Sequence, residues 1–120
     1  MRMDRARIDG PVVSGFSGGG FRVDDNVYLG LLLTPSRADG WSPPPLDALT
    51  PDAFAPLLAL DPPPEFLLLG TGAALRRPPP ALEAALPFGI EIMDSRAAAR
   101  AWGILRAEQR WIAAALYPLD

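Results

Sequence analysis

The sequence predicts a single α/β domain of three layers, with a mixed, largely parallel central sheet and an antiparallel β meander at its N-terminal end. Three observations carry this. The first third alternates short apolar runs with Gly- and Asn-bearing turns. The last two thirds read strand, helix, strand, helix, strand, which implies right-handed crossovers and parallel pairing. And Phe66-Leu67-Leu68-Leu69 is apolar on both sides, as an interior parallel strand must be.

Each element follows in order. Residues 1–10 form a tail and 11–120 the domain. Val12 and Val13 lead to Phe16, Gly18-Gly19-Gly20 breaks the run, Phe21 and Val23 alternate with Arg22 and Asp24, and Asp25-Asn26 turns the chain into a long apolar strand, Val27 to Leu33. Pro35 to Pro45 is a loop carrying Trp41. Thr50-Pro51-Asp52 starts a helix, with Thr as N-cap, Pro at the first helical position and an acid near the positive end of the dipole. Phe54, Leu57 and Leu58 give that helix one apolar face, and Pro62 to Pro64 ends it.

The strand Phe66 to Leu69 closes at Gly70-Thr71-Gly72. Pro78 to Pro80 opens a short helix with Leu82, Ala85 and Leu86 on one face. Ile90 and Ile92 alternate with Glu91 and Met93 as a strand, and Asp94-Ser95 caps the longest helix, Arg96 to Ala107. Its Ala98, Ala101, Trp102 and Leu105 lie at i, i+3, i+4 and i+7. Arg110 to Tyr117 is the last strand, and Trp102 and Trp111 belong to the core.

Composition excludes much chemistry. The 120 residues contain no Cys and no His, and all eleven cations are Arg, so Lys is absent too. Disulfides, thiolate nucleophiles, imidazole bases, Schiff bases and the Walker lysine are therefore unavailable. No metal or cofactor is expected. Nineteen Ala, fifteen Pro and eleven Gly beside an all-Arg cation set carry the imprint of GC-rich codons. Net charge is −3, so no global field draws the chain to nucleic acid or an anionic membrane. The N-terminus lacks the apolar run of a signal peptide, and no apolar run approaches the length of a membrane span.

The order of the pieces resembles the adipogenesis-associated Mth-domain family, which includes the mitochondrial complex I assembly factor 3. The matching features are Gly19-Gly20-Phe21, Trp41 after Pro35, Leu68-Leu69-Gly70-Thr71-Gly72, the run Gly89 to Ser95, Ala97-Ala98 with Arg100, the run Ile104 to Arg110, and Ala113-Ala114-Ala115-Leu116. They span Gly15 to Pro118. The resemblance implies a three-layer α/β fold with a mixed sheet. Two positions depart from the family pattern: Gly103 stands where Asn is usual, and Gln109 where Gly is usual at a helix end.

Two candidate sites emerge. Gly70, Thr71 and Gly72 end a buried strand where open α/β sheets bind ligands, and their N–H groups, with Arg76 and Arg77, suit a phosphate or carboxylate. The competing reading is a tight turn beside a solvated arginine pair. Asp94 and Ser95, with Arg96, border the same crevice if the two strands are neighbours; simple N-capping explains them as well. Trp41, Arg100 and Arg106 are the second candidate, an Arg- and Trp-bearing surface for a protein partner. Glu65, Glu91, Asp94 and Ser95 are the remaining groups able to act as acid, base or nucleophile, and no spacing pairs two of them.

The expected function is a non-catalytic protein-interaction or assembly-factor-like domain in the bacterial cytoplasm or at the inner face of the membrane. The alternative is a small anion-binding domain or enzyme with its crevice between Thr71 and Ser95. A homo-oligomer through the edge of the meander is a further expectation, since Val27 to Leu33 is long and apolar; burial inside the sheet explains that run equally well.

Overall fold

The structure, a computed structural model, describes residues 9–120. Most of the expected tail therefore lies outside the described residues. The meander comprises β1 (Gly15–Ser17), β2 (Gly20–Val23) and β3 (Asn26–Tyr28), antiparallel throughout. Its tight turns are Gly18-Gly19, both at positive φ, and Asp24-Asp25, with Asp24 at φ 53°. The second turn lies one residue earlier than the sequence suggests, because Asn26 pairs with Val23.

The run Val27 to Leu33 is not one strand. It breaks at Leu29-Gly30, and its second half, β4 (Leu31–Leu33), is fully buried in a separate five-stranded sheet. Gly30 sits so close to the Trp41 carbonyl oxygen that a Cβ there would clash with it. The loop expected from Pro35 to Pro45 contains β5 (Ala38–Gly40), paired antiparallel with β4. Nothing in Ala-Asp-Gly favours a strand; the pairing supplies what propensity lacks.

The main sheet also holds β6 (Phe66–Gly70), β7 (Gly89–Met93) and β8 (Ala113–Leu116), in the order β5-β4-β8-β6-β7. The pairs β6 with β7 and β6 with β8 are parallel, while β4 runs antiparallel to β5 and β8. Parallel pairing thus occupies the part of the sheet joined by helical crossovers. The last strand is shorter than Arg110 to Tyr117. Arg110 and Trp111 precede it, held by Glu65, whose carboxylate accepts from the Arg110 guanidinium at 2.7 and 2.9 Å and from the Trp111 N–H at 3.1 Å. Trp111 is half-buried rather than core, and its indole N–H donates to Pro62.

Two apolar layers sandwich the sheet. On one side Leu31, Leu33, Leu68, Ala114 and Leu116 meet the helix α3 (Ser95–Ala107), through Ala98, Ala99 and Trp102, and the meander, through Phe21 and Val23. On the other, Leu32, Leu67, Leu69 and Ala115 meet two 3-10 turns (Leu46–Ala48 and Pro51–Phe54) and the short helices α1 (Ala55–Leu58) and α2 (Pro80–Ala85). The helix expected after Thr50 is thus a 3-10 turn followed by a single α turn, and the Thr50 side chain makes no capping hydrogen bond. Phe54 and Leu57 are buried as expected, but Leu58 is 39% exposed, and in α2 Ala85 faces solvent while Leu82 and Leu86 are buried.

The C-terminus of α3 carries the consequence of one family departure. Gln109 adopts φ 61°, the left-handed conformation that Gly enters without penalty. The Gln109 N–H donates to the Arg106 carbonyl and the Arg110 N–H to that of Leu105, the Schellman arrangement. A non-glycine residue there costs about 1–2 kcal/mol, partly offset by its smaller entropy loss on folding. Gln109→Gly is expected to stabilise the domain by about 0.5–1 kcal/mol, read as a rise of a few degrees in Tm by calorimetry; an unchanged or lower Tm refutes the assignment.

Candidate functional site

The carboxyl ends of β6, β7 and β8 meet at Ser95. The first residue of α3, it is fully buried, and its hydroxyl accepts from the Gly72 N–H at 2.8 Å and donates to the Tyr117 carbonyl at 2.8 Å. Its own N–H donates to the Gly72 carbonyl at 2.8 Å. Each strand end is tied to a neighbour as well: Thr71 N–H to the Met93 carbonyl and Tyr117 N–H to the Gly70 carbonyl, both at 2.9 Å. Gly70 permits this closeness. A Cβ there would stand 2.7 Å from Ser95 Oγ and 2.8 Å from Ser95 Cα. Gly72, at φ 105°, lets the chain turn away immediately afterwards.

Thr71 is buried and internally committed. Its hydroxyl donates to the Ala74 carbonyl at 2.7 Å and accepts from the Arg76 N–H at 3.0 Å, shaping the turn that leaves β6. The structure therefore brings Gly70, Thr71, Gly72 and Ser95 together, but it spends the Thr71, Gly72 and Ser95 N–H groups, and both hydroxyls, within the protein. Asp94 caps α3 by accepting from the Ala97 N–H at 2.9 Å, while Ser95 does not act as the cap. Arg96 turns the other way, its guanidinium 5.7 Å from the centre of the Phe16 ring. Arg77 is exposed. Arg76 alone of the three lines a concavity of about 260 Å³ beside the junction, with Tyr117, Pro118 and Asp120.

The acid and base candidates are not assembled either. Glu65 precedes β6 and stands at the opposite end of the parallel strands from Asp94 and Ser95, and hydrogen bonds from Arg110 and from the Trp111 N–H hold its carboxyl below the ordinary carboxylate range. Glu91 is exposed on β7 at the sheet edge. Among the described residues no group of three or more metal-ligating side chains is close enough to hold an ion, and no helix is long and apolar enough to cross a membrane.

The expected partner surface is also redistributed. Arg106 is 8% exposed, with its guanidinium donating to the Arg110 carbonyl at 2.6 Å and to that of Asp9 at 3.2 Å; it staples the end of α3 to both flanking segments. Trp41 folds back, its ring 5.7 Å from Phe54 and 5.2 Å from Tyr117 and its indole N–H donating to Ala53. What stays in solvent on α3 is Arg96, Arg100 and Ile104, the last 62% exposed. Their i, i+4, i+8 spacing makes one stripe, beside Gly103, where a Cβ would meet open space.

Sequence reasoning missed Tyr117. Its carbonyl completes the Ser95 junction, and its hydroxyl donates to the Pro44 carbonyl at 2.7 Å. No local signal reveals either, since the partners lie 22 and 73 residues away.

The fold and this junction define a small three-layer α/β domain with a mixed sheet and a meander packed beside α3. The chain belongs to the family described as Protein of unknown function (DUF498/DUF598), whose model matches residues 13–117. It is similar to the Drosophila melanogaster NADH dehydrogenase [ubiquinone] 1 alpha subcomplex assembly factor 3, with 29% identity over 118 residues. That match covers 91% of this chain and only 59% of the relative. Among solved structures it resembles a Mth938-like domain from Bordetella pertussis, at 28% identity and a TM-score of 0.72 over 92% of this chain and 87% of that one. It also resembles a Bartonella henselae protein described as an outer membrane protein, at 28% identity and a TM-score of 0.80 over 94% and 98% of the two chains. The family matched is the one the motifs pointed to.

Two tests follow from the junction. Ser95→Ala leaves the buried Gly72 N–H and Tyr117 carbonyl without their partner and is expected to cost about 2–4 kcal/mol by denaturant unfolding, whereas Asp94→Ala, which removes only a cap, costs about 1. Equal effects would refute the junction. Burial pushes the Tyr117 hydroxyl up to about 12, against the favourable pull of Arg76. Because the folded value lies above the ordinary 10, this contribution is complete below pH 10 and is lost between pH 10 and 12. Tyr117→Phe is expected to flatten that part of the stability profile.

Proposed function

We propose that this chain is a non-catalytic protein-interaction domain with an assembly-factor-like role, and that the stripe Arg96, Arg100 and Ile104 on α3 docks an acidic and apolar surface of its partner. The observation that carries the reading is the sealed junction: at the strand ends where an open α/β sheet binds its ligand, the N–H groups of Thr71, Gly72 and Ser95 are spent on the Met93 carbonyl, the Ser95 hydroxyl and the Gly72 carbonyl. An exposed isoleucine at the end of two exposed arginines joins apolar area to Arg, a residue in which interfaces are enriched. Similarity to a protein named as a complex I assembly factor supports the same role, and respiratory complex assembly is the first process in which to seek the partner. We place the protein in the cytoplasm or peripherally at the membrane.

A second reading rests on the concavity rimmed by Arg76, Thr71 and Tyr117, which suits a small carboxylate or phosphate. Asp120 on the same rim opposes it.

One set of measurements separates the two. Affinity capture from the native source with the wild-type chain and with the double variant Arg100→Glu, Ile104→Asp is expected to recover a partner that the variant loses at unchanged Tm. Deletion is expected to reduce assembled complex I. Retention of the partner by the double variant overturns the α3 surface. A phosphate- or carboxylate-induced rise in Tm that disappears in Arg76→Ala supports the anion site instead.

A further inference from the structure

We infer that the free edge of β5 is a strand-addition site for an extended segment of a different protein, one that places a basic residue opposite Asp39. The hydrogen-bond phase of the hairpin shows which groups are available. The Thr34 N–H donates to the Arg37 carbonyl at 2.9 Å, and the Trp41 N–H to that of Gly30 at 3.0 Å, so residues 37, 39 and 41 turn their backbone groups toward β4. Ala38 and Gly40, one residue out of phase, turn their N–H and C=O groups away from the sheet. Among the described residues neither N–H donates to any group outside the strands. Among the described residues no strand lies beyond β5 in the sheet. Four aligned main-chain groups therefore stand at this edge, the template that an added strand uses.

The surroundings suit an added strand on both faces. Its alternate side chains would enter two concavities that flank the hairpin tip and share Ser36 and Arg37. One, of about 630 Å³, lies on the Asp39 side and is bordered by Pro56, Ala59, Leu60 and Asp61. The other, of about 350 Å³, is bordered by Val23, Asp24 and Tyr28. Gly40 keeps the edge bare, with only the Tyr28 ring near its absent Cβ, at 3.8 Å.

Charge selects the occupant. Arg37 and Asp39 pair at 2.8 and 3.0 Å, a contact that raises the already high pKa of Arg37 and offsets both charges, so among the described residues Asp24 and Asp61 leave the two concavities acidic. A second copy of this chain pairing antiparallel through β5, with Ala38 facing Gly40 of its partner, would bring together two edges of the same net sign, each with Asp24 and Asp61 beside its internally paired Arg37 and Asp39. A foreign strand with Lys or Arg facing Asp39 meets the opposite sign. This surface is separate from the α3 stripe and does not depend on it.

The test is selection from a random heptapeptide display library on the intact chain. Selected peptides are expected to carry Lys or Arg at one central position and to shift the Ala38 and Gly40 amide resonances. Replacing that cation by Glu is expected to weaken binding about fivefold or more. Gly40→Pro removes an outward N–H without touching the β4 pairing, and is expected to abolish binding, while Gly40→Ala retains it. Asp39→Lys is expected to reverse the preference toward acidic peptides. Should the proline variant fail to fold, peptides N-methylated at alternate amides replace it, with one of the two phases losing binding. The proposal is overturned by absence of enrichment, by peptides that bind Gly40→Pro undiminished or show no charge preference, or by concentration-dependent self-pairing at Ala38 and Gly40. Binding retained in Arg100→Glu, Ile104→Asp separates this site from the α3 stripe; its loss there overturns the β5 assignment.

Discussion

The Ser95 hydroxyl bridges the Gly72 N–H and the Tyr117 carbonyl, and much of the domain's arrangement follows from that one buried group. It joins the exit of β6, the start of α3 and the end of β8, segments far apart in sequence. A hydroxyl that donates once and accepts once, with both partners buried, leaves no polar group unpaired, which is what makes so tight a junction tolerable. Its cost is geometric: Gly70 can carry no side chain, because Ser95 occupies the place of its Cβ. The same closeness that anchors α3 on the sheet fills the space between diverging loops where related architectures admit a ligand.

The face above this junction shows how a small sheet is packed with small residues. Ala114 in β8 and Ala98 and Ala99 in α3 bring helix and sheet close together, and Trp102, fully buried, supplies the bulk that they lack. Its indole N–H donates to the Pro11 carbonyl at 2.9 Å, so the largest core side chain also anchors the segment entering the domain. Arg106 repeats the device one turn on, reaching the Asp9 carbonyl. Burying a guanidinium demands several acceptors, and Nε has none among the described residues. The segment leading into the meander is thereby held against α3 by Trp102 and Arg106, and the meander itself by Phe21 and Val23.

An unbroken apolar run made β6 legible, and periodicity made β7 and α3 legible, since each carries its pattern within its own span. What escaped was set by partners distant in sequence. Ser95 beside Asp94 has the composition of a cap, and only the return of β8 reveals that the hydroxyl is spent elsewhere. Arg106 has the composition of a solvated face until the carbonyls of Asp9 and Arg110 surround it. Ala38-Asp39-Gly40 has no strand propensity and becomes a strand because β4 offers it a ladder. Val27 to Leu33 has uniform apolar character, and uniformity concealed the break at Gly30, where the Trp41 backbone approaches. The left-handed turn at Gln109 was legible only through the family pattern, which marks the position as one for glycine.

The edges of the main sheet explain why strand addition here favours a foreign chain over a copy. Its two outer strands are β5 and β7, and each carries a carboxylate at its central residue, Asp39 and Glu91. Two copies meeting centre to centre in antiparallel fashion through β7 would set Glu91 against Glu91, while at β5, where Arg37 pairs with Asp39, the like sign comes from Asp24 and Asp61 beside the edge. Among the described residues both edges thus lean to the negative sign, which disfavours pairing of copies through this sheet. A basic strand from another protein meets no such opposition. At β5 the edge groups of Ala38 and Gly40 are flanked by open concavities, so a charge that disfavours a second copy also favours a basic strand.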